Sequence, residues 1–152
     1  MLIRIATLTD VDAWVGLRAR LWPDTSLEAH RGEAVAMLAK PTGEGVVLLA
    51  VDPERGICAF AEASLRHDHV NGCETSPVAF LEGIYVRPGN RGSGLGRRLV
   101  MAVKSWARGR GCAELASDAP LDNVGSHGFQ AALGFEETAR VVYFRERLRS
   151  RI

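Results

Sequence analysis

Apolar and polar positions divide the chain into short strands and amphipathic helices. Residues 2–5 alternate and predict a first strand. Thr9, with Asp12 three residues on, has the form of a capping box. The helix it opens carries an apolar face of Trp14, Leu17 and Leu21, up to the stop at Leu21-Trp22-Pro23. Ser26 or Asp24 caps a second helix reaching about Leu38, with Ala34, Val35 and Leu38 turned inward. Residues 46–51 and 57–65 read as strands on either side of the turn Asp52-Pro53-Glu54-Arg55-Gly56. A polar loop over 66–77 leads into the apolar run Phe80-Leu81-Glu82-Gly83-Ile84-Tyr85-Val86, a buried strand ended by Pro88. From Leu95 the period changes, and Leu95, Leu99, Ala102, Val103 and Trp106 share one helical face. Residues 113–117 predict a short strand, 123–133 a helix closed by Gly134, and 141–144 a last strand. This order predicts a mixed α/β domain of the α+β type over residues 1–152, with a largely antiparallel sheet flanked by helices.

Composition narrows the class without naming it. Of 152 residues, 47% are apolar and 24% charged, an ordinary globular balance. The net charge of +1 argues against nucleic-acid binding driven by bulk charge. The first ten residues lack the apolar core of a signal peptide, and no run has the length a membrane span needs. Cys58, Cys73 and Cys112 are scattered, with no C-x-x-C pair. They are expected to be reduced thiols in a cytoplasm, not a disulfide frame or a zinc site.

The chemistry concentrates between the strand at 80–86 and the helix from Leu95. The turn Arg91-Gly92-Ser93-Gly94-Leu95-Gly96 places backbone N–H groups at a helix N-terminus, with Arg97 and Arg98 beside it. Free donors, the positive end of the helix dipole and the absence of Cβ atoms suit a phosphate or pyrophosphate. A Walker A loop is excluded, because Gly96 is followed by Arg97-Arg98 instead of Lys and Ser or Thr. A dinucleotide fingerprint is excluded by the spacing of Gly92, Gly94 and Gly96. What remains is R-x-x-G-x-G, met by Arg91, Gly94 and Gly96.

Set between a strand and a helix, this motif resembles the pyrophosphate loop of the GCN5-related N-acetyltransferases. The layout resembles theirs along essentially the full length, as do Asn123 and the run Ala131-Ala132-Leu133-Gly134-Phe135. Longer stretches resemble the bacterial aminoglycoside 6′-N-acetyltransferases. They include Leu21-Trp22-Pro23, Arg66-His67-Asp68, Val70-Asn71-Gly72-Cys73, Phe80-Leu81-Glu82-Gly83-Ile84, Glu114-Leu115-Ala116-Ser117-Asp118 and Gly134-Phe135-Glu136-Glu137-Thr138.

The resemblance implies acetyl-CoA as cosubstrate, no metal, direct acetyl transfer to the 6′-amine of an aminoglycoside, and a homodimer in the cytoplasm, with no nucleic-acid or membrane partner. It implies that backbone amides of Ile84 and Val86, with Tyr85 between them, pair with the pantetheine arm. Arg91, Gly92, Ser93, Gly94, Leu95, Gly96 and Arg97 then hold the pyrophosphate, and Asn123 touches the pantetheine. Glu82 and Asp118 face the amine, with Glu82 as the water-mediated base. Trp22 lines the substrate cleft, as does His69, which stands where relatives tend to carry tyrosine. Physical chemistry supports Glu82 independently: a charge in an apolar strand is costly unless it has a partner or a task. The same residues leave room for an acetyltransferase acting on a polyamine, peptide or protein. They also leave room for a module that binds coenzyme A or an aminoglycoside without turnover. Two positions depart from the family pattern. Gln130 stands where many members have the tyrosine that protonates the leaving thiolate, so that either the thiolate leaves as the anion or another acid such as Tyr143 serves, and Ala139 stands where close relatives often carry an acid. His30 and His127 show no partner and read as structural or surface residues.

Overall fold

The computed structural model describes residues 1–149. A single sheet in the order β1-β2-β3-β4-β5 unites β1 (Leu2–Ile5), β2 (Gly45–Asp52), β3 (Gly56–Arg66), β4 (Val78–Val86) and β5 (Leu115–Ala116). The first three pairings are antiparallel and β4–β5 is parallel. Helices α1 (Val11–Leu21) and α2 (Leu27–Leu38) cover one face, and α3 (Leu95–Gly109) the other. The final helix, α4, spans Val124–Ala132.

Alternation sorts the strand residues between two layers. Ala59, Ala61, Ala63, Leu81 and Val86 pack with Leu95, Leu99, Val100 and Val103 of α3. Val47, Leu49, Ile57 and Phe60 pack with Trp14, Val15 and Leu17 of α1 and Ala34 of α2. The small residues Ala59, Ala61 and Ala63 let α3 lie close against β3. This is the mixed, largely antiparallel sheet flanked by helices that the residue pattern predicted.

Several boundaries move. Before α1 the chain makes a short 3-10 turn over Leu8–Asp10, and the capping box joins Thr7 to Asp10, not Thr9 to Asp12. Tertiary contact selects that box: Arg4 on β1 grips both oxygens of Asp10 at 2.8 Å, fixing where the helix begins. Ser26 caps α2 by accepting from the Ala29 amide at 3.1 Å. Val35 faces solvent, whereas His30 is wholly buried, so the inner face of α2 is rotated from the expected one. The strand expected at 113–117 shortens to Leu115–Ala116. No strand forms over 141–144: this segment has no ladder to join among the described residues, and Val142, Tyr143 and Phe144 are exposed. The α4 helix ends as expected, with Gly134 at φ +97°. The Gly134 amide donates to Ala131 O and the Phe135 amide to Gln130 O, the double bond of a Schellman cap.

Candidate active site

A β-bulge in β4 builds the centre of the site. Glu62 of β3 pairs with Gly83, but Ala63 pairs with Leu81, so Glu82 is the inserted residue. A bulge re-aims side chains and bends its strand. Here it turns Gly83 toward α1, where a Cβ would lie 2.5 Å from Trp22 Cη2. Trp22, just beyond α1, packs there between Phe60 and His30. Glu82 and Trp22 border a cavity of about 420 Å³, shared with Arg18, Glu33, Lys40 and Glu62.

Glu82 is paired from the rim. Arg66 Nη2 donates to both its oxygens, at 2.8 and 3.0 Å, while the Arg66 guanidinium lies 4.2 Å from the Phe80 ring centroid. Both partners retain solvent contact, so the pair is open to exchange with another cation.

Beneath lies a second ionic cluster, buried at Arg18, His30 and Glu62 and open to solvent at Glu33. Arg18 donates to Glu62 Oε1, to Glu33 Oε2 and, at 3.3 Å, to His30 Nδ1. His30 then carries its proton on Nε2, which donates to the Trp22 carbonyl at 2.9 Å. The Arg18 guanidinium sits 4.8 Å from the Trp22 ring centroid, within cation–π range. Glu62 is 2% exposed, and burial pushes its carboxyl up to about 7 against the opposing pull of Arg18. Its Oε2 has no hydrogen-bond partner among the described residues.

The other side of β4 offers backbone. The Arg87 amide donates to Cys58 O, so alternation along the antiparallel ladder turns the amides of Ile84 and Val86 away from β3. Among the described residues, β5 pairs with β4 at Ala79 and Phe80, leaving the edge open beyond Leu81. Arg91 Nε donates to the outward Val86 carbonyl at 2.8 Å, tying the turn to this edge, and its guanidinium lies 5.4 Å from the Tyr85 ring. Gly92 and Gly94 both have φ +81°, a conformation that favours glycine. Gly94 is the N-cap of α3 and contributes no side-chain cap. The first helical bond runs from the Arg98 amide to Gly94 O, so the amides of Leu95, Gly96 and Arg97 stand before the ladder begins. Ser93 Oγ donates to Asn90 O, and Arg97 reaches the Ala132 carbonyl, linking the turn to α4.

Remaining candidates lie around this frame. Asp118 is exposed, two residues past β5. Asn123 is the N-cap of α4, its Oδ1 accepting from the Ser126 amide at 3.1 Å. His69 is exposed in the 66–77 loop and does not border the 420 Å³ cavity, whereas His67 bonds Glu44 at 2.8 Å. Gln130 donates to Ser117 Oγ at 2.9 Å, which in turn donates to Leu81 O, so this side chain braces α4 to the end of β5. Tyr143, the substitute acid considered above, is 81% exposed. Among the described residues no cluster of His, Cys, Asp or Glu has the makings of a metal site. Cys112 is buried, which raises its thiol pKa and disfavours a nucleophilic thiolate.

Sequence reasoning missed Arg18, His30, Glu62 and Arg66 as members of the site. One signal was available: Glu62 interrupts the apolar run Ile57-Cys58-Ala59-Phe60-Ala61 just as Glu82 interrupts its own strand. The arginines carried none, because their partners are distant in sequence.

Residues 11–135 match the Acetyltransferase (GNAT) family. An aminoglycoside N(6′)-acetyltransferase type 1 of Serratia marcescens is 47% identical over 147 residues, covering 97% of this chain and 99% of that protein. One of Stenotrophomonas maltophilia is 51% identical over 143 residues, covering 94% and 91%. The crystal structure of an apo aminoglycoside 6′-N-acetyltransferase from Acinetobacter haemolyticus superposes with a TM-score of 0.92 at 43% identity, covering 97% of this chain and 99% of that one. A second enzyme, AAC(6′)-Iy, was solved with the bisubstrate analogue CoA-S-monomethyl-acetylneamine; it superposes with a TM-score of 0.88 at 41% identity, covering 97% and 98%.

Proposed function

Because the chain belongs to the GNAT family of acetyltransferases, we propose that it transfers the acetyl group of acetyl-CoA to the 6′-amine of aminoglycoside antibiotics. One observation carries the reading. The open edge of β4 runs directly into a glycine turn at the N-terminus of α3, and the same strand bears Glu82 in a cleft rich in carboxylates.

The chain's residues fit the coenzyme. A glycine N-cap leaves amides and the helix dipole for the pyrophosphate. The outward amides of Ile84 and Val86 suit an extended amide-bearing arm, and Asn123 and Tyr85 flank it. Acetyl-CoA supplies an activated thioester; the chain's task is to hold the amine and take its proton.

An aminoglycoside is a polycation, and only a deprotonated amine is a nucleophile. Glu82 binds the ammonium in place of Arg66 and accepts its proton through water. Trp22 forms the wall on which a sugar ring or ammonium rests. Asp118 and His69, both exposed and outside the cavity lining, are assigned to the outer part of the drug on the family resemblance alone. Gln130 cannot donate a catalytic proton, so the thiolate leaves as the anion, its ordinary pKa lying near 8.5.

The three thiols are free in the described structure, which supports action in a reducing cytoplasm. Exposure of Val142, Tyr143, Phe144 and Leu148 supports association of two copies through this segment. Light scattering on the purified protein tests it, and a monomer at micromolar concentration refutes it.

The activity test is a panel assay of CoA release with 6′-amino aminoglycosides, their 6′-hydroxyl analogues, polyamines and peptides. Turnover confined to the 6′-amino drugs is the expected result. Equal rates on 6′-hydroxyl analogues overturn the regiochemistry, and binding without CoA release favours a binding module.

A further inference from the structure

Resting on the amine-acetylation reading, we propose that Glu62 is a specificity-determining residue: its buried carboxylate supplies the negative excess by which the cleft prefers multiply charged amines. Glu62 lies on β3 directly across from Gly83, beside the inserted Glu82, and borders the same cavity. One oxygen is held by Arg18, while the other has no partner among the described residues although the residue is 2% exposed. An orphaned buried acceptor is costly, and because that oxygen is shut off from solvent, its pull on a cation in the cavity is electrostatic and not a hydrogen bond.

The charges facing Glu62 make its ionisation decisive. Arg18 comes from α1, Glu33 and the hydrogen-bond-accepting Nδ1 of His30 from α2, Lys40 from just beyond α2, and Glu82 from β4. Arg66, at the end of β3, offsets Glu82 from the rim. Within the cavity lining, three carboxylates face Arg18 and Lys40 when Glu62 is ionised. When it is protonated the two signs are equal, and the cleft loses its excess.

Burial raises the Glu62 carboxyl to about 7, so this excess is half present near neutrality. A polycation entering the cleft favours the ionised form, and binding therefore expels the proton from Glu62. Affinity for the amine rises with pH through this range, while the coenzyme side, on the opposite edge of β4, is unaffected. Sequence reading assigns the amine to Glu82 and Asp118; the structure adds Glu62, across the bulge from Glu82 in the same cavity lining.

The test compares the parent with Glu62→Gln, using kanamycin (a 6′-amino aminoglycoside) and acetyl-CoA from about pH 6 to 9. In the parent, KM for kanamycin falls roughly tenfold as Glu62 ionises. In the variant that component disappears and KM is roughly tenfold higher at the alkaline end, with KM for acetyl-CoA unchanged. Any ionisation of the drug's own amines is common to both proteins and cancels in the comparison. A variant that keeps the parent's kanamycin KM and pH profile overturns the proposal, as does one that weakens both substrates equally. If the variant does not fold, the paired change Arg18→Met with Glu62→Leu removes the buried ion pair together, a replacement proteins often tolerate. Because it keeps the lining's excess of one carboxylate, the pH-dependent component of the kanamycin KM should disappear while the KM at the alkaline end stays near the parent's, and a pH profile like the parent's overturns the proposal. Calorimetric titration of kanamycin into parent and variant reads the effect without turnover. A parent that binds kanamycin but releases no CoA therefore overturns the acetylation reading and leaves the Glu62 test standing.

Discussion

Trp22 fills the space that a side chain at position 83 would need: a Cβ on Gly83 would stand 2.5 Å from Cη2 and 2.6 Å from Cζ2 of the indole. This single contact joins the end of α1 to the bulge in β4, and with it the cleft wall to the strand that bears Glu82. Gly83→Ala is expected to push the indole off its seat. Its KM for a 6′-amino aminoglycoside should rise about tenfold, with acetyl-CoA affinity unchanged. Intrinsic tryptophan fluorescence reports the displacement. Unaltered emission and kinetics would show that Trp22 is not set by this contact.

Glu82→Gln removes the proton acceptor and leaves its shape. General-base contributions are of the order of a hundredfold or more, so kcat should fall at least that far. The pair it forms with Arg66 is solvent-exposed and contributes little to stability. The thermal midpoint should move by no more than about 2 °C. Full activity at neutral pH would transfer the base role to another group.

The glycine turn makes two distinguishable predictions. A Cβ at Gly96 would meet Phe129 at 3.5 Å, an ordinary contact, so Gly96→Ala should fold as well as the parent. It should nonetheless raise KM for acetyl-CoA roughly tenfold, by intruding where the pyrophosphate approaches. At Gly94 the backbone itself is at φ +81°. Gly94→Ala should therefore add a strain of about 1 kcal/mol to the same binding defect. Coenzyme A titration calorimetry with thermal melts separates the two effects, and tight coenzyme binding by either variant would refute the assignment of the turn.

Acid stability should report the Arg4–Asp10 pair. The Arg4 guanidinium, together with the Thr7 amide, holds the Asp10 carboxyl down to about 2. A depressed acid stabilises the fold above its unfolded pKa, and that stability is lost as pH falls through the folded value. Asp10→Asn should thus cost about 2 kcal/mol at neutral pH, with the deficit shrinking between about pH 4 and 2. Urea melts across that range check it. A deficit independent of pH would assign the loss to the cap geometry and not to the charge.

Most of the fold was legible in periodicity. The near-continuous apolar runs of β2 and β3 mark strands buried on both faces, and the stripe of Leu95, Leu99 and Val103 records which side of α3 is buried. The errors share one cause. Thr9–Asp12 and Thr7–Asp10 are equally good local boxes, and a guanidinium from β1 decided between them. Val141-Val142-Tyr143 has strand character, but strand formation needs an edge to join, which sequence composition does not supply.

For the site, the chain's own order sufficed to place the glycine turn between strand and helix, because motif and flanking periods are contiguous. It also sufficed to mark Glu82, since one carboxylate in an apolar run stands out without reference to anything else. Folding alone decided what surrounds that carboxylate. The bulge that re-aims Glu82 arises from the register between β3 and β4. Arg66 approaches Glu82 across that register, and Arg18, His30 and Glu62 converge from α1, α2 and β3 into one buried network that Glu33 closes from the solvent side. Local propensity is written residue by residue, but the charge state of a buried group is set by neighbours that become neighbours only when the layers close.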